Sequence, residues 1–382
     1  MELSEQTASV PLSVDAILER GIDMRASDVH LTAGSPPAVR VHGHIELLHD
    51  FGNLEPDDVR QLIYRITKTD QQKQLEIDRQ LDFAYGLRGK ARFRVNTYYQ
   101  RESLAAAFRL IPADIKTLED LGLPSALHEF SSKPRGLVLF TGPTGSGKST
   151  SLAALIDEIN RSRTDHIITI EDPIEFLHKH QRCIVNQREI GQDAVGFAEA
   201  LRGALRQDPD VILLGEMRDL ETISTALTAA ETGHLVFATL HTQDAASTVD
   251  RVIDVFPAAQ QGQIRTQLAG TLEGVVAQTL LPTADGQGRA AAIEVLRPDD
   301  AVRNLVRQAK IEQVYSIMQT GGKKGMQTME QALAELVLRG ILNEDVALAR
   351  SSRPDQLLGL LGRVGGTTSD GQSAAPLRIA GS

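Results

Sequence analysis

The sequence predicts an α/β protein of two domains, a small N-terminal α/β domain joined to a larger C-terminal domain built on a parallel sheet. Three observations carry this prediction. TGPTGSGKST at 141–150 lies between an apolar run, LVLF at 137–140, and SLAALIDEIN, whose apolar residues recur at helical spacing. From Arg135 onward, short β-branched or apolar runs alternate with amphipathic helical stretches, the pattern of a parallel sheet covered on both faces. The N-terminal part instead carries short alternating strands separated by Gly and Pro turns.

Length and composition set the outer bounds. A chain of 382 residues suits two or three domains, and 41% hydrophobic with 24% charged residues is the composition of a soluble globular protein. MELSEQTASV has no basic segment followed by an apolar one, so no secretory signal is expected. Cys183 is the single cysteine, which excludes an internal disulfide and a cysteine-based zinc site and points to the cytoplasm. A net charge of −10, 4% aromatics and no Trp disfavour a nucleic-acid-binding surface.

Taken in order, residues 12–25 read as an amphipathic helix, and VHL, AVRV and the segment around Ile45 as short strands. PDDVRQLIYRIT at 56–67 is helical in pattern. The alternation that follows breaks at Gly86 to Gly89, as in a hairpin. Arg92 and Arg94 are two apart on one strand and so share a face, with Arg109 on a later strand. They read either as a solvated sheet face or as arginine fingers reaching the phosphates of a neighbouring subunit. Residues 113–134, with Pro124 and Pro134, read as a linker with a short helix. Beyond it, HIITI at 166–170, VILLG at 211–215 and HLVFATLH at 234–241 read as strands, and FAEALRGALRQDP and LETISTALTAAETG as helices. The stretch from Arg353, rich in Gly and Ser, reads as a flexible tail.

The spacing Gly142, four residues, Gly147, Lys148, Ser149 is the full phosphate-binding loop. Gly142, Gly145 and Gly147 can take backbone angles that turn successive N–H groups toward phosphate oxygens, with Pro143, Thr144 and Ser146 between them. The helix start adds its positive dipole end. Lys148 would reach the β and γ phosphates of ATP, and the Ser149 hydroxyl would ligate Mg²⁺ with Thr150 close by. Glu216, directly after the apolar strand, is placed to hold Mg²⁺ or its water shell. Orienting an attacking water needs a further carboxylate, for which Glu171, Asp172 and Glu175 are the candidates. His234 and His241 stand seven apart around one strand, on opposite faces if it is regular, which argues against a shared metal.

GPTGSGKST, TIEDPIEF at 169–176, VILLGEMRDLET at 211–222 and TGHLVFATLHT at 232–242 resemble the Walker A, Asp-box, Walker B and His-box motifs of the secretion and type IV pilus ATPase superfamily. ASDVHL, GKARFRVN, DRVIDVFP and the stretch 301–328 are similar to its retraction branch, so the resemblance runs from about residue 12 to about residue 350. It implies a PAS-like N-terminal domain over 1–112 and a RecA-like ATPase domain with C-terminal helices over 135–352, on either side of the linker read at 113–134, while the tail at 353–382 lies beyond the resemblance. Residue by residue, Glu175 matches the catalytic glutamate and Glu216 the Walker B glutamate. His234 and His241 match the two His-box histidines, and Arg92, Arg94 and Arg109 the arginine-bearing segment that approaches nucleotide. AVRNLVR resembles the AIRNLIRE motif linked to retraction, with Gln308 where the family usually has Glu.

The resemblance further implies a cytoplasmic homohexamer, with nucleotide at subunit interfaces, that powers type IV pilus retraction and twitching motility. Its partners would be an inner-membrane platform protein and an accessory retraction ATPase, with peripheral association at the inner membrane and no nucleic acid or zinc. An accessory retraction ATPase and a RecA-like nucleic-acid motor are the alternatives; GEMRDLETI and AVRNLVR look more like the principal motor.

Overall fold

The computed structural model describes residues 12–87, 90–112 and 114–365. The chain forms two compact units: one runs to Asp114 and includes Glu175–Leu177, and the other comprises Ile115–Ile174 and the chain from His178.

The first unit contains α1 (Val14–Asp23), β1 (Asp28–Thr32), β2 (Ala38–Val41), β3 (His44–Leu47), α2 (Pro56–Ile66), α3 (Thr69–Asp78), β4 (Gln80–Leu87), β5 (Ala91–Gln100) and β6 (Ser103–Ile111). Ser13 caps α1 by accepting from Ala16 N at 3.1 Å, and α2 begins on Pro56, whose missing N–H is not needed there. The strands form one antiparallel sheet in the order β3-β2-β1-β6-β5-β4. Its inner face carries Val29, Leu31, Phe93, Val95 and Phe108 against α1 and α2. The predicted hairpin is β4–β5, although residues 88–89 of its turn lie outside the described residues.

The second unit begins with α4 (His128–Ser131) and β7 (Gly136–Thr141). Then come α5 (Lys148–Ser162), β8 (His166–Glu171), β9 (Ile184–Glu189), α6 (Phe197–Ala204), β10 (Val211–Leu214), α7 (Leu220–Glu231) and β11 (Leu235–Thr239). After these follow α8 (Ala245–Asp254), α9 (Ala258–Thr271), β12 (Leu272–Pro282), β13 (Arg289–Leu296), α10 (Asp300–Arg307), α11 (Val314–Thr320), α12 (Met329–Leu338), α13 (Glu344–Arg350) and α14 (Pro354–Gly365). The sheet order is β13-β12-β7-β11-β10-β8-β9, parallel except for the β12–β13 pair.

β7, β10 and β11 are buried along their whole length, which is why they read as continuous apolar runs. Leu137, Leu139, Ile212, Leu214, Val236 and Ala238 face the core under α6 to α11, while Val138, Phe140, Val211, Leu213, Leu235 and Phe237 face the core under α4 and α5.

Two boundaries differ from expectation. The segment expected as a linker is part of the second unit from Ile115, because Leu118, Leu127 and Phe130 are buried on the β7 side of its sheet. Phe130 presses on Gly274 so closely that a Cβ there would overlap its ring. The expected tail begins with α14, whose Leu357 is fully buried with α12, while Leu360 and Leu361 pack beside it at helical spacing. Residues 366–382 of that tail lie outside the described residues.

Candidate active site

The phosphate loop joins the end of β7 to the start of α5. Gly142, Gly145 and Gly147 have φ of 139°, 80° and 88°, a region that side chains with a Cβ rarely adopt. Gly142 is needed for space as well, since a Cβ there would overlap the Gln278 carbonyl oxygen of β12. At Gly147 a Cβ would come within 2.8 Å of Gln278 Nε2. Gln278 is buried and its Oε1 accepts from Ser151 Oγ at 2.9 Å, so β12 supports both the loop and its helix. Nothing in the sequence singles out Gln278. Lys148 is buried and folds back on the loop, donating to Gly142 O at 2.7 Å and Pro143 O at 3.2 Å. Ser146 Oγ is buried without a hydrogen-bond partner among the described residues, and Pro143, Thr144 and Gly145 are exposed at the crest. Ser149 and Thr150 are half-buried in the first turn of α5.

The strand order β7-β11-β10-β8 sets four strand ends side by side along one sheet edge, about 5 Å apart. Glu216 follows β10 and His241 follows β11. His241 Nε2 lies 3.1 Å from Glu216 Oε1, and Arg218 pairs with the same carboxylate from the solvent side. The Thr239 hydroxyl bonds to Gly215 O and Met217 N donates to Thr239 O at 3.0 Å, which locks the two loops together. On the other side, Thr141 Oγ1 donates to Thr242 O at 2.6 Å, so the base of the phosphate loop is tied to the residue after His241.

The three acids after β8 separate. Glu171 is half-buried at the strand end and accepts from Thr169 Oγ1 at 2.5 Å and Gln187 Nε2 at 3.2 Å. Asp172 is exposed and precedes a cis peptide bond to Pro173. Glu175 is exposed and belongs to the first unit, where Leu177 N donates to Pro112 O at 3.4 Å. Both flanks of this segment are held by β9. Glu189 Oε2 accepts from Ile174 N at 3.3 Å and Gln187 Oε1 from His178 N at 2.8 Å. The second unit by itself therefore gathers the loop, Glu216 and His241, but not Glu175.

Arg92, Arg94 and Arg109 lie on the outer face of the first unit's sheet. Arg94 is in register with Arg109, which is in register with Asp28, which is in register with Arg40, so these four form one row. Arg109 Nε is 2.9 Å from Asp28 Oδ1. Burial pushes the Asp28 carboxyl up, but the Ser27 hydroxyl and the Arg109 guanidinium together hold it below its usual range.

His234 is not brought to the loop. The strand expected to lie between the two histidines spans only Leu235–Thr239, so His234 sits at the opposite sheet edge from His241, roughly 16 Å of strand away. There its Nδ1 lies 2.9 Å from Ala229 O, a partner in the last turns of α7. The resemblance assigns His234 to nucleotide binding, and the structure does not bring it to this chain's phosphate loop. The AVRNLVR stretch also sorts by burial. Val302 and Val306 are core, Arg303 bonds to Ala269 O at 2.6 Å and Glu273 Oε1 at 3.1 Å, and Arg307 and Gln308 are exposed.

A phosphate loop on a parallel sheet, with an acid and a histidine paired at the adjoining strand ends, defines an ATPase site. Residues 3–349 match the model of the type II/IV secretion system protein family, and the chain belongs to that family. It is 49% identical to the type IV pilus retraction ATPase PilT of Pseudomonas aeruginosa over 344 residues, 90% of this chain and 99% of that protein. It is 46% identical to a twitching motility protein of Neisseria gonorrhoeae over 340 residues, 87% of this chain and 91% of that protein. A crystal structure of the pilus retraction motor PilT with bound ADP superposes with a TM-score of 0.84 at 50% identity, covering 91% of this chain and 99% of that one. The α/β fold class and the expected ATPase activity are thereby borne out. Among the described residues no helix is long and apolar enough to cross a membrane.

Proposed function

We propose that the protein is a hexameric, Mg²⁺-dependent ATPase that powers type IV pilus retraction through an inner-membrane platform protein, working from the cytoplasmic side. The observation that carries the site is the row of strand ends holding the phosphate loop, His241 and Glu216, with the last two 3.1 Å apart. The loop residues present suit the triphosphate. Three glycines at positive φ open the backbone, Lys148 is already turned onto the loop, and the buried Ser146 hydroxyl has no partner among the described residues. Ser149 and Glu216 would hold Mg²⁺, which when bound neutralises phosphate charge.

The remaining steps belong to this chain's own groups. Lys148 leaves the loop carbonyls and takes the β and γ phosphates. Glu175 orients the attacking water and accepts its proton, and His241, held by Glu216, reads the γ phosphate from the next strand end. Arg92, Arg94 and Arg109 are supplied by a neighbouring subunit and stabilise the charge that develops in the transition state. Loss of the γ phosphate then releases one domain against the next, and the ring passes the motion on.

Phosphate release from size-fractionated full-length protein tests assembly and chemistry together. Activity is expected in the hexamer-sized fraction and not in the monomer fraction; equal specific activity in both would overturn the shared site. Restoration of twitching in a strain lacking its own retraction ATPase tests the cellular role.

A further inference from the structure

Ala277 of β12 is in register with Thr141 of β7 on one side and Glu294 of β13 on the other. The three side chains therefore stand in one row on one sheet face. Residues 242–245, which follow His241 and begin α8, are tied to both ends of this row. Thr141 Oγ1 donates to Thr242 O at 2.6 Å, and Ala245 N donates to Glu294 Oε1 at 2.7 Å. Glu294's other oxygen, Oε2, accepts from Met329 N at 3.3 Å, the first residue of α12. Glu294 is only 4% exposed. Directly beside it, Val295 and Gln327 exchange backbone hydrogen bonds of 2.8 and 2.9 Å, so the entry to α12 is fixed to β13.

We propose that Glu294 is a positioning residue that clamps the start of α8 and the start of α12 to one carboxylate, so that movement of the His241 loop with nucleotide state is passed to the C-terminal helices. The inference rests on the site reading above. One carboxylate has two acceptor oxygens, and here each meets the first N–H of a different ten-residue helix. Both helices already have their own caps, Asp244 accepting from Ser247 N at 2.7 Å and Thr328 accepting from Gln331 N at 3.3 Å. Those caps satisfy the third N–H of each helix, while Glu294 takes the first N–H of both. What the carboxylate adds is the connection between the two helices. Asp244 and Glu330 raise its titration, and its carboxylate oxygens accept from Ala245 N and Met329 N. The side chain is therefore held by backbone N–H groups and two positive helix ends rather than by an ion pair.

Hydrogen exchange on the full-length protein, with and without ADP, tests this alongside ATPase kinetics. In the parent, ADP is expected to protect 142–149 and to change exchange in both 242–247 and 330–334. Glu294→Gln keeps the shape but presents an NH₂ to one of the two helices. It should retain ADP protection of 142–149 and KM within about twofold, lose at least about fivefold in kcat, and lose the response at 330–334. Met329→Pro deletes the N–H of the α12 arm, together with a buried side chain, and leaves the α8 arm in place; Thr328 already has the extended backbone that precedes proline, and Pro is tolerated at a first helical position. It should lose the same response. The inference is overturned if 330–334 responds to ADP in both variants as in the parent, or does not respond in the parent although 142–149 is protected. Absence of protection at 142–149 in the parent would overturn the site reading itself, and the inference with it.

Discussion

His241 Nε2 lies 3.1 Å from Glu216 Oε1, joining the ends of β11 and β10 next to the phosphate loop. Groups in such contact act as a unit, so their effects on turnover should not add. Glu216→Gln is expected to lower kcat by at least about 100-fold and His241→Ala by about tenfold. The double variant should differ from the sum by about 0.5–3 kcal/mol in a double-mutant cycle on kcat. Additive losses would separate the two residues.

Lys148 donates to Gly142 O and Pro143 O, at 2.7 and 3.2 Å, contacts that phosphate would replace in the proposed site. Lys148→Ala should fold yet bind nucleotide poorly. A ligand at 100 times its Kd stabilises the parent by about 2.7 kcal/mol, and Lys148→Ala should show none of that stabilisation at the same ADP concentration in a thermal melt.

Two loop glycines should respond differently. Gly145 has φ of 80°, and a Cβ added there would meet nothing within 4 Å, so Gly145→Ala carries only backbone strain, about 1–2 kcal/mol. Gly142 adds an overlap with the Gln278 carbonyl, so Gly142→Ala should cost more than Gly145→Ala in denaturant unfolding and should also displace β12.

Much of this site is legible in the sequence, for a physical reason. β7, β8, β10 and β11 are buried on both faces and so are written as largely apolar runs, with Gly142, Glu171, Glu216 and His241 marking where each run ends. β9 is not legible. IVNQRE is an edge strand whose Gln187 and Glu189 look like ordinary surface residues, although they bracket the Glu175 segment. Neither are the roles of Gln278 and Glu294, since a lone polar residue in an apolar strand does not announce what it bonds to. The β5–β6 turn is hidden as well, because Arg101 and Glu102 both take positive φ, 46° and 65°, without the Gly or Asn such turns favour. Pairings such as Glu216 with His241 arise from the neighbouring of β10 and β11, which is a property of topology rather than of any local pattern.

Burial pushes the Glu294 carboxyl up to about 7 from its ordinary 4.5, with Asp244 and Glu330 adding to the rise and the N–H groups of Ala245 and Met329 opposing it. A carboxyl raised on folding binds more protons in the folded state than in the unfolded one. Its contribution to stability is therefore full below about pH 4.5 and is lost as pH rises toward 7. Comparing melts of the parent and Glu294→Gln between about pH 5 and 8, the parent's stability relative to the variant should fall with rising pH, by an amount on the order of a few kcal/mol. A difference independent of pH would contradict the buried, titrating carboxyl.

The most direct measurement is single-turnover ATP hydrolysis by hexamer-sized Glu175→Gln alongside the parent, with nucleotide affinity determined on the same samples. The account predicts unchanged ATP binding and a loss of at least about 100-fold in phosphate release. Hydrolysis at the parent rate would contradict the role given to Glu175 and with it the proposed chemistry of the site.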